Sequence, residues 1–490
     1  MLIVVMIPEK VKAGVAKGHC QELDFQDTKL TELMKRSQNS VESGEQLRLF
    51  KKRRKDMSTE ERVSVLQEKL YQKAKQDKSF KFYVLYDKMF LSYMLTEAWK
   101  QVKSNDGTAG IDGVTITEVE QRGIDSYLEE LGEELRKQTY RPQAVKRVMI
   151  DKEGGTGQRP LGIPTVKDRI AQTVCTMILE PIFEADFKEC SHGFRPERST
   201  KDAIAAVKAH LKDGKTDILD ADISKYFDTI PHEKLMKALK ERISDPRLLK
   251  LIESWLKVPV FENGQFKGGK KNHMGTPQGG VISPLLSNIY LNLLDRFIVH
   301  PDNLFYKYGV EIVRYADDFV LMGKKIPEVA IGKLQHLLSR MGLTLNGTKT
   351  RQIEARERSF DFLGFTIRYD KDLFVANKRY WNIEASAKSE KKIRHKVSDY
   401  LKTHGHSPAK DLVSGLNSRV IGWLNNFEVK GVSYPAMNRR MLRHHLMHSL
   451  NRYFKRKSQR KCRLYGQNAF EVLVQKFGLV DPTKYTSSAT

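Results

Sequence analysis

The chain has 490 residues, 40% of them hydrophobic and 30% charged, and its 85 Lys and Arg outweigh 60 Asp and Glu for a net charge of +25. That length suits about three domains, and those fractions suit a soluble globular protein. So basic a field favours a polyanionic partner, most commonly nucleic acid, and no two of Cys20, Cys175, Cys190 and Cys462 are spaced as a C-x-x-C metal knuckle or part of a disulfide framework.

Residues 1–58 read as a basic, partly disordered arm ending in the run Lys51–Lys55. Leu2–Ile7 is apolar but too short for a signal segment. No stretch reaches the roughly 18 apolar residues of a membrane span. No membrane partner is therefore expected, and a cytoplasmic location is. From Thr59 to Lys103, apolar residues at three- and four-residue spacings predict helices. Ser104–Gly113, "SNDGTAGIDG", is a glycine-rich loop.

Short strands and helices then alternate, the pattern of a mixed sheet backed by helices. "RVMIDKEGGTGQRPLGI" predicts a hairpin with Gly154, Gly155 and Gly157 at its tip, and residues 165–187 predict a helix. Asp217–Ile223 predicts a strand. Ser283 and Pro284 open a strongly apolar helix. "GQFKGGKK" (Gly264–Lys271) satisfies G-x-x-x-x-G-K, but Lys271 stands where a Ser or Thr would hold magnesium, so it reads as a turn. Beyond Asn377 the composition shifts. Between Lys391 and Arg463, 18 Lys or Arg face 3 acids, a net +15. Helices are predicted at about 388–401, 411–427 and 434–455. In the last, Met437, Met441, Leu442, Met447, Leu450 and Phe454 can share one apolar face. His444 and His448 stand four apart, but without a neighbouring acid they read as part of a basic face.

"VRYADDFVLM" (Val313–Met322) places Asp317 and Asp318 side by side in an apolar, strand-like run. Neighbouring buried carboxylates are costly unless a cation compensates them. Asp222, closing "DILDAD", is a candidate third acid. Three carboxylates converging on hard cations would make a magnesium site. The plain alternative is a pair of capping or surface acids at a hairpin turn.

The motifs resemble those of reverse transcriptases, and of the group II intron-encoded branch in particular. "YADD" is similar to that family's motif C and "DADISKYFD" to its motif A. "GTPQGGVISPLLSNIYL" (Gly275–Leu291) is similar to motif B, and "RPLGIPTVKDRIAQ" and "SHGFRPERS" to its fingers motifs. "LTLNGTKT" followed by "FDFLGF" resembles motif D and the primer grip, and "GWLNNF" resembles a maturase signature. They stand in family order over about residues 85–430.

The resemblance implies an α+β right-hand polymerase. Its N-terminal helices and fingers would lie in 59–215, its palm in 216–376 and a helical, basic thumb or maturase domain in 377–490. It implies two Mg2+ ions, with Mn2+ a substitute, on Asp222, the Ile223 carbonyl, Asp317 and Asp318. It makes Phe227 a steric gate against ribonucleotides, Lys152 and Arg159 clamps on the triphosphate, and Gln278 a residue that positions the incoming nucleotide. It makes Lys349 a proton donor to pyrophosphate and Ser104–Gly113 a lid on the template. His192 stands where a tyrosine is more usual, and contact with nucleic acid is expected of it. The implied partners are template and intron RNA, a DNA primer or target, and deoxynucleoside triphosphates; nothing in the sequence specifies an oligomeric state. The expected activity is RNA-directed DNA synthesis, with a part in intron folding, splicing and mobility. A recruited host function, or a maturase acting mainly by binding RNA, are the alternatives. The residues after Gly431 hold no cysteine–histidine cluster, so no zinc endonuclease is expected.

Overall fold

The computed structural model describes residues 57–151, 157–269, 272–276, 279–372, 375–404, 407–456 and 467–486. The arm expected over 1–58 lies almost wholly outside them. Eleven strands occur among the described residues: β1 (Val145–Asp151), β2 (Gln158–Ile163), β3 (Asp217–Asp222), β4 (Pro259–Glu262), β5 (Gln265–Gly268), β6 (Glu311–Tyr315), β7 (Asp318–Gly323), β8 (Arg351–Glu354), β9 (Phe360–Phe362), β10 (Phe365–Lys371) and β11 (Arg379–Ala385). The chain forms two compact units interleaved in sequence. The first takes Met1–Val148, Pro160–Asp186 and Met236–Ser283, and the second Met149–Arg159, Phe187–Leu235 and Pro284–Thr490. No helix among the described residues is long and apolar enough to cross a membrane.

In the first unit, the helix Thr59–Gln76 starts at a capping box in which Ser58 and Glu61 satisfy each other's backbone amides. With Ser92–Ser104 it packs on Val166–Glu184, which is buried along most of its length. Thr165 caps that buried helix by accepting from the Asp168 amide. The loop Ser104–Gly113 is pinned against this cap. A Cβ on Gly110 would lie 2.7 Å from the Thr165 Cα, and buried Arg169 donates to the carbonyls of Thr108 and Pro164. The segment expected as a lid is thus anchored at Gly110, where the absence of a side chain allows close backbone packing.

The sheet β2-β1-β4-β5 carries the expected β1–β2 hairpin, whose tip at Gly154 and Gly155 lies outside the described residues. The described residues of Gly264–Lys271 lie in a hairpin between strands, as the context suggests, with the turn at its start. The turn is Asn263–Gly264, both with positive φ, and Gln265–Gly268 is β5. Asn-Gly is the pair that a two-residue hairpin of this kind demands.

The second unit contains an antiparallel sheet in the order β6-β7-β3-β8 and a second in the order β11-β10-β9. Ala203, Ile204, Val207 and Leu211 of the helix Thr200–Lys212 share one core with Ile218, Val313, Val320 and Met322 and with Phe360, Phe365 and Ile383. Alternation explains this burial, since Ile218, Val320 and Met322 occupy one face of their strands. A separate core joins the helices Ala387–Thr403, Ala409–Phe427, Ala436–Arg456 and Ala469–Phe477. The first three lie within two residues of the expected bounds at each end. The expected apolar face of Ala436–Arg456 is corrected: Asn438, Leu442, Leu446, Leu450 and Phe454 are buried, while Met437 and Met441 are 60% and 43% exposed. The buried seam follows a strict four-residue spacing from Asn438 to Phe454, which leaves Met437 and Met441 off it.

Glu180 supplies a pH test of the first unit. Burial, reinforced by repulsion from Glu184, pushes its carboxyl up to about 7. A carboxyl raised on folding holds a proton that the unfolded chain has released, so stability falls as pH rises from about 4.5 towards 7. Glu180→Gln is expected to raise the melting temperature at pH 8 and leave it nearly unchanged at pH 4. Thermal melts at the two pH values check this.

Candidate active site

Pairing of β3 with β7 sets Asp222 directly opposite Asp318, so the two carboxylates leave the same face of the sheet. Tyr315 pairs with Asp318 across β6 and β7, which leaves only Ala316 and Asp317 to make the turn. The acid pair therefore occupies the hairpin turn and the first residue of β7, not the interior of a strand. Ala316 takes φ +56°, a left-handed conformation uncommon for a residue with a side chain.

Crowding by protein pushes the Asp318 carboxyl up to about 7, with repulsion from Asp317, Asp222 and Asp220 adding to it and Lys349 opposing. Asp318 still presents surface to solvent, so an arriving cation could reach and offset that repulsion. Burial raises Asp317 as well, and repulsion from Asp222 adds, against Arg159 and Arg314. Asp222 is engaged on its other side. Lys349 Nζ lies 3.1 Å from its Oδ2, and Asn346 donates its side-chain amide to the same oxygen at 3.1 Å. Asn346 also donates its backbone amide to the Asp222 carbonyl at 2.8 Å. Ile223 is buried and bridges to Leu345. The donor chemistry, carboxylates and a backbone carbonyl, suits a hard divalent cation. Among the described residues no three His, Cys, Asp or Glu side chains are gathered around one point as metal ligands.

The turn is held from below by Arg314, which has no exposed side-chain surface. Its Nε and Nη2 clasp Asp295 at 2.8 and 2.5 Å. Its remaining hydrogens go to Asn288 Oδ1 at 3.0 Å, Ser191 Oγ at 2.7 Å and the Ala316 carbonyl at 2.9 Å. All five guanidinium donors are thereby used. From the other side the "SHGF" loop lies against the strand, with His192 donating its amide to the Arg314 carbonyl at 2.8 Å. A Cβ on Gly193 would lie 2.4 Å from the Ala316 nitrogen. Sequence reasoning missed Arg314, Asp295, Asn288 and Asn346. The available signal was a cation placed within an otherwise apolar strand, which must find a buried partner.

The remaining expected site residues divide as follows. Arg159 stands near enough to Asp317 to lower its carboxyl. Lys349 contacts Asp222. Phe227 is half-buried on the one-turn helix Tyr226–Thr229. Lys152 and Gln278 lie outside the described residues. A Cβ on Gly279 would fall 2.2 Å from the Gly162 carbonyl oxygen, so this glycine lets two backbone segments meet. The contact with nucleic acid expected of His192 is corrected. The ring is enclosed, neither nitrogen has a partner, and burial pushes its pKa down to about 4.

The sequence profile described as "Reverse transcriptase (RNA-dependent DNA polymerase)" matches residues 150–367. Protein YkfC of Escherichia coli K12 is 37% identical over 341 residues, which cover 62% of this chain and 87% of YkfC. The group II intron-encoded protein LtrA of Lactococcus lactis subsp. cremoris is 38% identical over 204 residues, 41% of this chain and 33% of LtrA. The chain belongs to the group II intron-type reverse transcriptases. That makes it an RNA-directed DNA polymerase, of a family that uses divalent metal ions and acts on nucleic acid. An uncharacterized 91 kDa protein in a cob intron of Schizosaccharomyces pombe is 29% identical over 367 residues, 62% of this chain and 44% of its own length. The chain thus spans most of YkfC but only a third of LtrA. Among solved structures, a chain of a partial Cas6-RT-Cas1–Cas2 complex aligns over 51% of this chain and 40% of its own, at 23% identity and a TM-score of 0.32.

Two sets of variants test the support of this reverse transcriptase's acid turn. Gly193→Ala is expected to displace the turn by a fraction of an ångström or more and slow nucleotide addition by about 100-fold, measured by single-turnover primer extension. Arg314→Met strands a buried Asp295 and is expected to cost roughly 3–5 kcal/mol in denaturant unfolding. Arg314→Met with Asp295→Leu should recover much of that stability without recovering polymerisation.

Proposed function

We propose that the protein copies RNA into DNA at Asp222, Asp317 and Asp318 and assists its intron RNA in folding, splicing and mobility. The observation that carries the catalytic part is the β3–β7 register, which sets Asp222 opposite Asp318, with Asp317 in the adjoining turn close enough to feel the Asp222 charge. Burial raises the carboxyls of Asp317 and Asp318, and repulsion among the three acids adds to it, so divalent charge placed there is stabilising. Asp222, Asp317, Asp318 and the Ile223 carbonyl would hold two Mg2+ ions, or Mn2+ in their place. When bound, such ions supply the Lewis acidity that activates a hydroxyl and stabilises a leaving phosphate oxygen.

The chain's own groups do the rest. The reaction joins the primer 3′-oxygen to the α-phosphorus of a deoxynucleoside triphosphate and releases pyrophosphate. Arg159, with Lys152, binds the triphosphate and neutralises charge gathering on the leaving group. Lys349, 3.1 Å from Asp222, stands beside the reacting phosphates and gives pyrophosphate its proton. Gln278 helps to position the incoming nucleotide. Phe227 blocks the space a 2′-hydroxyl would need. In the palm and thumb of this reading, the basic C-terminal helices grip the RNA–DNA duplex by its phosphates, a hold that weakens with salt. The intron role rests on the relatives named for introns, and the cytoplasm, where such an RNA is transcribed, is the proposed location.

Primer extension on an RNA template with Asp317→Ala/Asp318→Ala tests the catalytic reading. The expected result is loss of synthesis by at least about 1,000-fold while duplex binding persists; undiminished synthesis would sink it. Sequencing RNA that co-purifies with the native protein tests the intron reading, and a single structured intron RNA is expected.

A further inference from the structure

The gate proposed at Phe227 has no hydrogen-bonding atom in its side chain, so its position must be set by what it leans on. Its ring meets the Tyr226 ring edge to face, with centroids 5.4 Å apart and planes inclined at 64°. Tyr226 is 2% exposed, and its hydroxyl donates to the Ser287 carbonyl at 2.9 Å. Ser287 belongs to the helix Ser283–Ile298, which also supplies Asn288 and Asp295 to the support of the acid turn. The residue before Tyr226, Lys225, has φ +46°, and only four residues, Tyr226–Thr229, form the helical turn that carries both rings. A one-turn helix has little hydrogen-bonded structure of its own to fix its height. The tyrosine hydroxyl joins it to a long, buried helix.

We propose that Tyr226 is a specificity-positioning residue. Through its bond to the Ser287 carbonyl it fixes the height of Phe227, and so the discrimination between deoxyribo- and ribonucleotides. This rests on the reading of Phe227 as the gate. The Tyr226 ring fills the core and its oxygen sets the register, and Tyr226→Phe separates the two roles by removing one oxygen and no ring carbon. The alternative, a tyrosine that only packs, makes different demands on the kinetics. A packing defect lowers addition of both nucleotide classes together, whereas a released gate raises ribonucleotide addition against deoxynucleotide addition.

The test measures kcat/KM for a deoxynucleotide and for the matching ribonucleotide, by single-nucleotide primer extension on an RNA template. Wild type, Tyr226→Phe and Phe227→Val are compared, with a thermal melt of each. Tyr226→Phe is expected to raise the ribonucleotide-to-deoxynucleotide ratio by about two- to tenfold, the scale of one buried hydrogen bond, and Phe227→Val to raise it further. An unchanged ratio in Tyr226→Phe, with a raised ratio in Phe227→Val, overturns the role of Tyr226 and leaves the gate standing. An unchanged ratio in both overturns the gate itself, and the role of Tyr226 with it. If Tyr226→Phe melts too low to assay at the standard temperature, all three proteins are compared at a lower temperature at which it is folded, under the same criteria.

Discussion

A buried ion pair is the constraint on which the candidate site depends. Removing a guanidinium and a carboxylate from water costs several kcal/mol per ion, and only well-formed geometry repays it. Arg314 and Asp295 meet that condition, since every guanidinium hydrogen has an acceptor. One acceptor is the Ala316 carbonyl, the last backbone oxygen before the acid pair. The pair therefore couples the helix Ser283–Ile298, the "SHGF" loop and the turn between β6 and β7 into one rigid support. A hydrophobic pair of similar volume could supply the stability. It could not hold Ala316 at φ +56° by its carbonyl.

Upon that support the charges are arranged with opposite logic. Below the turn a cation and an anion neutralise each other completely. Above it, carboxylates repel one another and two are raised. Lys349 and Asn346 draw Asp222 to one side, which makes Lys349 the natural competitor of any cation for that carboxylate. The net charge of +25 attracts a nucleic-acid backbone, and the clustered acids at the turn oppose that sign locally.

Much of this was legible in the chain because the signals were local. The β-prone segment "DILDAD" and the short apolar run "FVLM" gave strands, and Ser283–Pro284 gave a helix start. Spacing along the C-terminal segment gave three helices to within two residues. What local pattern could not supply was pairing. Nothing in "VRYADD" says that Arg314 faces Asp295, or that the acids fall at the turn; both follow from registers set by β3 and by a helix. The same blindness explains the apolar face of Ala436–Arg456, where helical spacing admitted Met437 but the neighbouring helices chose Leu446. It also explains His192, whose polar character suggested contact with nucleic acid, although its loop is folded inward against β6.

The most direct measurement is a structure of the protein with an RNA–DNA primer duplex, a non-hydrolysable deoxynucleotide and Mn2+, with the metal located by its anomalous scattering. The account predicts manganese at Asp222, Asp317 and Asp318, with Lys349 released from the Asp222 carboxylate and the Arg314–Asp295 clasp unchanged beneath. Manganese bound elsewhere, with Lys349 still on Asp222 while nucleotide and duplex are in place, would contradict it.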